Sequence, residues 1–516
     1  MADYGFWNLA QQDPAHLALV EPDGRRITAG QLLAASNRLV HGLRALGLKP
    51  GECIATVLPN GAPMIELYLA AAQGGWYLTP INHHLTAAEI AYIVQDSEAK
   101  AFVSSERFAA ASRSAADEIG FPERARFAVG TVPGFRAYAA LTDGQPDTLP
   151  ENRSAGQVMN YTSGTTGRPK GVRRPLMPYD PDTVFSMFAM FLAMFGVAPG
   201  GDGVHLTGSP LYHTAVLMFT GSSLHYGHTV VLMDRWTPES CLDVIQQYRV
   251  TTTHMVPTQF HRLLALPEPV KARYDVSSLR HVIHAAAPCP VDVKRRMLEW
   301  WGPVIYEYYA ASEGGGTLVT PDEWLRYPGT VGRAWPSSQI RVLDEDGTDC
   351  PTGQAGTVYM ALGTADFEYH KDKQKTAANR RDGFFTVGDI GYLNEEGYLF
   401  LCDRKIDMII SGGVNIYPSE VEAVLLTHPQ VADAAVFGIP NEDWGEEVKA
   451  VIEPAPGVSP SPALADEILA FCLQHAAKYK CPKSIDFIAS MPRDPNGKLY
   501  KRKLRDPYWK GRERAI

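Results

Sequence analysis

The sequence supplies no disulfide framework, no zinc motif and no membrane-spanning run. Its 516 residues hold seven cysteines, Cys53, Cys241, Cys289, Cys350, Cys402, Cys472 and Cys481, spaced widely and never as CxxC. An odd, scattered set excludes a disulfide scaffold or structural zinc site and fits a reducing cytoplasm. An excess of positive charge is also missing: 48 basic against 57 acidic residues give a formal charge of -9. That argues against nucleic acid as partner, and any polyanionic ligand must be held by local donors. The longest apolar stretch, Val184 to Ala198, stops at Pro199-Gly200-Gly201, short of the ~20 residues that cross a bilayer. It reads as a buried helix that doubles as an apolar wall for a substrate. The first residues carry no basic-then-apolar pattern and the last read Arg-Glu-Arg-Ala-Ile. A cytoplasmic chain without a secretory or peroxisomal address is therefore expected.

What is present has the pattern of a large α/β protein. The length calls for two or more folding units. Helix spacing over residues 32–46, 64–74 and 87–96 alternates with apolar runs at 53–58, 77–81 and from 101. Strands alternating with helices imply a parallel sheet covered on both faces. A polar connector spans 142–156, after which the pattern resumes with a strand at 228–233, a helix at 238–248 and a strand at 251–256. From 337 to 360, short strands and turn signals mark a β-rich region. The last hundred residues read as a small α+β domain.

The densest chemical signal is Tyr161-Thr-Ser-Gly-Thr-Thr-Gly-Arg-Pro-Lys-Gly171. Its glycines permit close backbone approach, its hydroxyls and N–H groups suit phosphate oxygens, and Lys170 adds a point charge. It is not a Walker-type P-loop. That pattern requires glycine where Pro169 stands and a hydroxyl residue where Gly171 follows Lys170.

This run resembles the phosphate loop of the adenylate-forming enzymes, which include acyl-CoA synthetases, firefly-type luciferases and peptide-synthetase adenylation domains. Further motifs follow in that family's order. The resemblance implies that Thr162, Ser163, Gly164, Thr165, Thr166, Gly167 and Lys170 bind phosphate. Pro210-Leu-Tyr-His213 is similar to the acyl-pocket motif, and it places His213, with Ala285, Ala286 and Gly314, at the acid. Ala285-Ala-Ala-Pro288 resembles the strip beside adenine, where the family commonly has glycines; Ala287 and Pro288 then meet the nucleotide. Tyr308-Tyr-Ala-Ala-Ser-Glu313 resembles Tyr-Gly-x-Thr-Glu, with Ala310 in place of glycine. By that match Tyr308 and Tyr309 serve adenine and ribose, Ser312 meets the α-phosphate, and Glu313, with Thr165, holds Mg²⁺. A carboxylate is a suitable hard ligand for that ion.

Thr386-Val-Gly-Asp389 resembles the ribose-binding motif, and Asp403-Arg404 the boundary between the family's two domains. Asp389 and Arg404 are thereby assigned to ribose and phosphate. Ser411-Gly-Gly413 is similar to the turn that borders the pantetheine of coenzyme A, which assigns Gly412 and Gly413. Pro492-Arg-Asp-Pro-Asn-Gly-Lys498 resembles the C-terminal loop whose lysine stabilises attack on the α-phosphate. Ile406 occupies the pivot, where the family usually has Asp or Lys.

The resemblance implies a large N-terminal domain of stacked α/β subdomains plus a β-rich subdomain over residues 1–403. A hinge at 404–406 leads to a mobile α+β lid over 407–516. The expected activity is an AMP-forming acid–thiol ligation using ATP, Mg²⁺ and coenzyme A. The acid is expected to be hydrophobic: a medium or long chain, or a polycyclic steroid- or terpenoid-like acid. An enzyme specialised for one half-reaction, or one delivering to a carrier protein, stands as the alternative. A luciferase-like oxidoreductase and a nucleotide-sensing pseudoenzyme are disfavoured, the latter by Lys498, Glu313 and the loop. The expected partners are small molecules, with a homodimer as the assembly considered.

Overall fold

The computed structural model describes residues 4–162, 169–363, 366–493 and 499–510. The chain forms two compact units. One comprises 1–255, 266–283 and 364–378; the other comprises 256–265, 284–363 and 379–516.

The first unit contains a six-stranded parallel sheet in the order Arg136–Ala137, Arg126–Val129, Ala99–Ser105, Cys53–Val57, Tyr77–Pro80 and Gln157–Val158. Its central strand, Cys53–Val57, is buried at every position, as a strand covered on both faces must be. The crossover helices begin where the sequence supplies caps. Thr28 and Gln31 form a capping box at the helix Ala29–Ala45, and Thr86 and Glu89 do so at Ala87–Asp96. Each box satisfies donors that the first turn leaves open. A second sheet brings together Thr252–Met255, Val204–Thr207, Thr229–Leu232 and Leu17–Val20 in parallel, with Arg26–Thr28 antiparallel at the edge.

The Val184 to Ala198 segment departs from the expected single buried helix. An α-helix, Pro181–Ala189, tightens into a 3₁₀ stretch, Met190–Phe195, that ends on Gly196 at φ 79°. Phe191 packs edge-on and Phe195 tilted against Phe219, while Met187 and Met190 are exposed. From Met190 onward the i to i+3 spacing no longer keeps the apolar residues on one stripe.

The second unit contains a β-rich sheet over residues 338–404, ordered Arg380–Arg381, Phe384–Phe385, Gly356–Leu362, Asp389–Leu393 and Leu399–Arg404. Ser338–Leu343 pairs alongside Gly356–Leu362. A separate core of Ile409, Ile416, Val421, Val436, Ala450, Ile468 and Cys472 belongs to its C-terminal part. There, Val431–Asn441 and Gly445–Pro454 form a long antiparallel pair, joined in parallel by Ser484–Phe487. The turn at 404–406 lies inside this unit.

The first unit buries neutral imidazoles. His205 meets the Thr252 hydroxyl at 3.0 Å, the Phe6 amide donates to His225 Nδ1 at 3.1 Å, and His254 stacks on Phe219. Burial holds them below the ordinary 6.5, to about 3, about 3 and about 4 respectively. Above pH 6.5 neither folded nor unfolded chain protonates them, and their contribution to stability is complete. Below it the unfolded chain takes up protons that the folded chain refuses. Stability should fall from pH 6.5 towards 4, each imidazole adding a slope approaching ~1.4 kcal/mol per pH unit. Urea denaturation across that range measures the slope, and His225→Phe should make it shallower.

Candidate active site

The described ends of the phosphate-loop run lie on two paired strands of the first unit. Asn160–Thr162 and Lys170–Arg173 pair antiparallel, with Thr162 opposite Lys170 and Tyr161 opposite Gly171. Ser163, Gly164, Thr165, Thr166 and Gly167 lie outside the described residues. The ends of the hairpin are held by groups that the motif does not contain. Tyr161 donates its hydroxyl to Asp96 Oδ2 at 2.7 Å, and Tyr92 donates to the Pro169 carbonyl at 3.2 Å. Tyr92 and Asp96 are one turn apart on the same helix face. Lys170 Nζ lies 2.9 Å from Asp372 Oδ2. That hydrogen bond raises the ammonium above its ordinary range, against a smaller effect of burial. Asp372 follows Glu368–Tyr369, which pairs with the return strand of the hairpin. A phosphate that recruits Lys170 must compete with this carboxylate.

The nucleotide-side residues gather in the second unit. Tyr309, on the strand Ile305–Ala310, donates its hydroxyl to Asp389 Oδ2 at 2.6 Å. Burial and the adjacent Asp389 carboxylate raise the Tyr309 phenol well above its ordinary range. Asp389 begins the strand Asp389–Leu393, directly opposite Arg404 in register, and its Oδ1 lies 3.4 Å from Arg404 Nε. A buried carboxylate flanked by an aromatic ring and a guanidinium suits a nucleoside: hydroxyls for the carboxylate, a ring face for the base. Tyr308 and Tyr309, as successive strand residues, point to opposite faces. Tyr308 is packed inside, so only one of them can present its ring to a nucleotide on a given face.

Ser312 and Glu313 occupy the turn after this strand, with Glu313 buried. Gly314, Gly315 and Gly316 follow at φ 119°, 74° and 158°. A Cβ on Gly316 would meet the Tyr309 carbonyl at 2.2 Å. The glycine run therefore answers a backbone requirement beside Tyr309. Ala285 is buried, Ala286 is exposed at φ 75°, Ala287 is half-buried and Pro288 exposed. His213 caps the helix Thr214–His225 in the first unit, with its ring 4.3 Å from that of Tyr212. The four residues assigned to the acid are thus divided between the units.

Gly412 and Gly413 form the two-residue turn of the hairpin Ile409–Ser411 and Val414–Ile416, both at positive φ (58° and 79°), as the tightest hairpins demand. The Gly412 amide donates to the Trp444 carbonyl at 2.8 Å, and a Cβ there would meet the Trp444 ring at 2.4 Å. Ile406 is half-buried, and its carbonyl accepts from Arg505 Nη1 at 3.3 Å. Lys498 lies outside the described residues, but the base of its loop does not. Arg493 pairs with Leu499, and two Arg493 nitrogens grip the Asp433 carboxylate at 2.5 and 2.7 Å. Among the described residues no three His, Cys, Asp or Glu side chains group around a metal position. No helix among them is long and apolar enough to cross a membrane.

Tyr92, Asp96, Asp372 and Asp433 escaped the motif reading. The i, i+4 spacing of Tyr92 and Asp96 behind a capped helix start was the one local signal available.

Fold and site together suit an enzyme that binds a nucleotide. Comparison with known proteins agrees. The family model for AMP-binding enzymes matches residues 6–363, and that for the AMP-binding enzyme C-terminal domain matches 420–498. A fatty acid–[acyl-carrier-protein] ligase, ScoC of Streptomyces coeruleorubidus, is 32% identical over 98% of this chain and 96% of its own. The long-chain-fatty-acid–CoA ligase FadD13 of Mycobacterium tuberculosis is 32% identical over 97% of this chain and 98% of its own. ATP-bound MatB from Rhodopseudomonas palustris superposes with a TM-score of 0.83 at 28% identity, covering 98% of this chain and 99% of that one. The chain belongs to the adenylate-forming AMP-binding enzyme family, as an AMP-forming acid–thiol ligase whose cofactors are ATP, Mg²⁺ and coenzyme A.

Gly316→Ala tests the turn. It should destabilise the fold by about 1–3 kcal/mol through strain at the Tyr309 carbonyl, measured as a lower urea midpoint at unchanged m-value.

Proposed function

We propose that this ligase activates a hydrophobic carboxylic acid, of medium or long chain or of polycyclic steroid- or terpenoid-like shape, as its acyl-adenylate and transfers the acyl group to coenzyme A. The observation that carries the nucleotide side is the buried Asp389 carboxylate, held between the Tyr309 hydroxyl and Arg404. Asp389 accepts the ribose hydroxyls, the Tyr309 ring covers the base, and Arg404 reaches ribose or phosphate. Glu313 would hold Mg²⁺, and the ion would neutralise charge on the phosphates. The Phe191–Phe195–Phe219 cluster and relatives named for fatty acids support an apolar acid.

The chemistry asks for alignment and neutralised charge. A carboxylate oxygen attacks the α-phosphorus, a C–O–P anhydride forms, and pyrophosphate leaves. The thiol sulfur then attacks the acyl carbon, AMP leaves, and the thiol proton passes to solvent. Lys498 serves the first step; the turn at Gly412 and Gly413 serves the second. The hinge at 404–406 divides 1–403 from 407–516, a division supported by the separate core around Ile409. Cytoplasmic location belongs to the same reading. A second reading, delivery to a carrier protein, is favoured by the full-length similarity to ScoC.

A panel of acids, assayed separately for pyrophosphate release and for transfer to coenzyme A or to a carrier protein, decides between the readings. Long-chain or polycyclic acids should be preferred over acetate by at least tenfold in kcat/KM. Equal rates with acetate overturn the substrate assignment. Lys498→Ala should nearly abolish pyrophosphate release while sparing thioester formation from supplied acyl-adenylate; equal loss in both steps contradicts the division of labour. Ile406→Asp should change the ratio of the two single-turnover rates without altering acid selectivity, since ~1.4 kcal/mol between two orientations is tenfold.

A further inference from the structure

Lys294 is fully buried, a rare state for lysine. Its Nζ lies 2.6 Å from Glu307 Oε2 and 4.9 Å from the centre of the Trp324 ring. His284, also fully buried, brings Nε2 within 3.4 Å of the same carboxylate oxygen and packs against the edge of Phe260. Burial raises Glu307 above its ordinary range and Lys294 opposes that rise. None of these three groups belongs to a motif assigned above.

Such a pair is a poor device for stability alone. Desolvating two charges offsets most of their attraction, and apolar side chains of similar volume often stabilise as well or better. What the pair offers is direction, and its position gives direction a use. His284 is the residue from which the strip 285–290 departs. Lys294 stands in the first turns of the helix Val291–Trp301 that the strip enters, and its amide also donates to the Pro290 carbonyl at 3.1 Å. Both ends of the strip are therefore tied to one carboxylate. Within it Ala286 is held at φ 75°, a backbone state that a non-glycine residue keeps only when its surroundings impose it. Glu307 itself lies two residues before Tyr309 on the same strand and shares its face.

We infer that the Lys294–Glu307 ion pair, with His284 beside it, is a positioning clamp that sets the strip 285–288 and Tyr309 at the spacing required to grip the adenosine of ATP. This rests on the reading that those residues meet the nucleotide. The clamp touches neither substrate, so it acts through them. Its removal should weaken nucleotide binding without changing recognition of the acid.

The test uses the full chain, with ATP affinity measured by calorimetry, KM for the acid by pyrophosphate release, and the melting temperature. Three variants suffice: Glu307→Gln, the charge-free pair Lys294→Met with Glu307→Leu, and Tyr309→Ala. Glu307→Gln and the double variant should each lose ATP affinity by about tenfold or more, with KM for the acid within about twofold of the parent. The double variant should melt at or above the parent temperature, separating lost direction from lost stability. If the double variant binds ATP like the parent, or loses stability and affinity together, the pair is packing and the proposal falls. Tyr309→Ala identifies which reading failed. If it weakens ATP binding while Glu307→Gln does not, the nucleotide site stands and the clamp is overturned; if it leaves ATP binding intact, the nucleotide reading fails and takes the clamp with it.

Discussion

Two anions must meet at bonding distance for a carboxylate to attack ATP, and this chain brings a net charge of -9 to the task. Bulk field cannot help, so every donor has to be local and fixed before the substrates arrive. Much of the structure around the site is organised by that requirement. The phosphate hairpin is held through Tyr161 on Asp96 and the Pro169 carbonyl on Tyr92. Lys170 is kept on Asp372, and Arg493 braces the base of the C-terminal loop on Asp433. In each case an acidic or phenolic side chain outside the motif steadies a residue or backbone segment at the motif. Part of the chain's acidity is thus spent on orientation rather than on opposing the ligand.

The same economy explains the pairing at Asp389. The carboxylate accepts from the Tyr309 hydroxyl and lies beside the Arg404 guanidinium, and the three arrive from separate strands whose register places Asp389 opposite Arg404. Sheet register is a stiff way to set such a spacing, because a slip of one residue would turn each side chain to the wrong face.

Much of this was legible in the sequence, and the reasons are local. The helices over 32–46 and 87–96 were legible because helix spacing of apolar residues is a local pattern. The apolar run from Cys53 announces a central strand because burial on both faces leaves no room for polar alternation. The motif residues Tyr309, Asp389 and Arg404 were legible through resemblance alone, since their convergence depends on strands far apart in the chain. Lys294, Glu307 and His284 were not legible at all. A buried lysine looks like a surface lysine until the helix carrying it has been packed. Likewise, the Met- and Phe-rich segment reads as one helix because composition cannot register the switch to 3₁₀ geometry at Met190.

Two alanines standing where the family commonly has glycine show how differently one kind of departure can act. Ala310 ends the strand Ile305–Ala310 opposite Gly316 and keeps ordinary extended pairing, so a methyl group costs its backbone nothing. Ala286 sits at φ 75°, where a methyl crowds the following carbonyl and a glycine would rest without strain. The substitution at 310 only stiffens a strand, whereas the one at 286 stores strain in the strip that runs toward Pro288. Strain of that kind persists only if neighbouring groups hold both ends, and it fixes the strip in one conformation where glycine would allow several. The glycines retained at 314, 315 and 316 lie on the other side of the balance. There the Tyr309 carbonyl leaves no space for any Cβ at 316, and backbone freedom is the only solution. Around Tyr309 the chain combines one strip made rigid by alanine with one turn that only glycine can make.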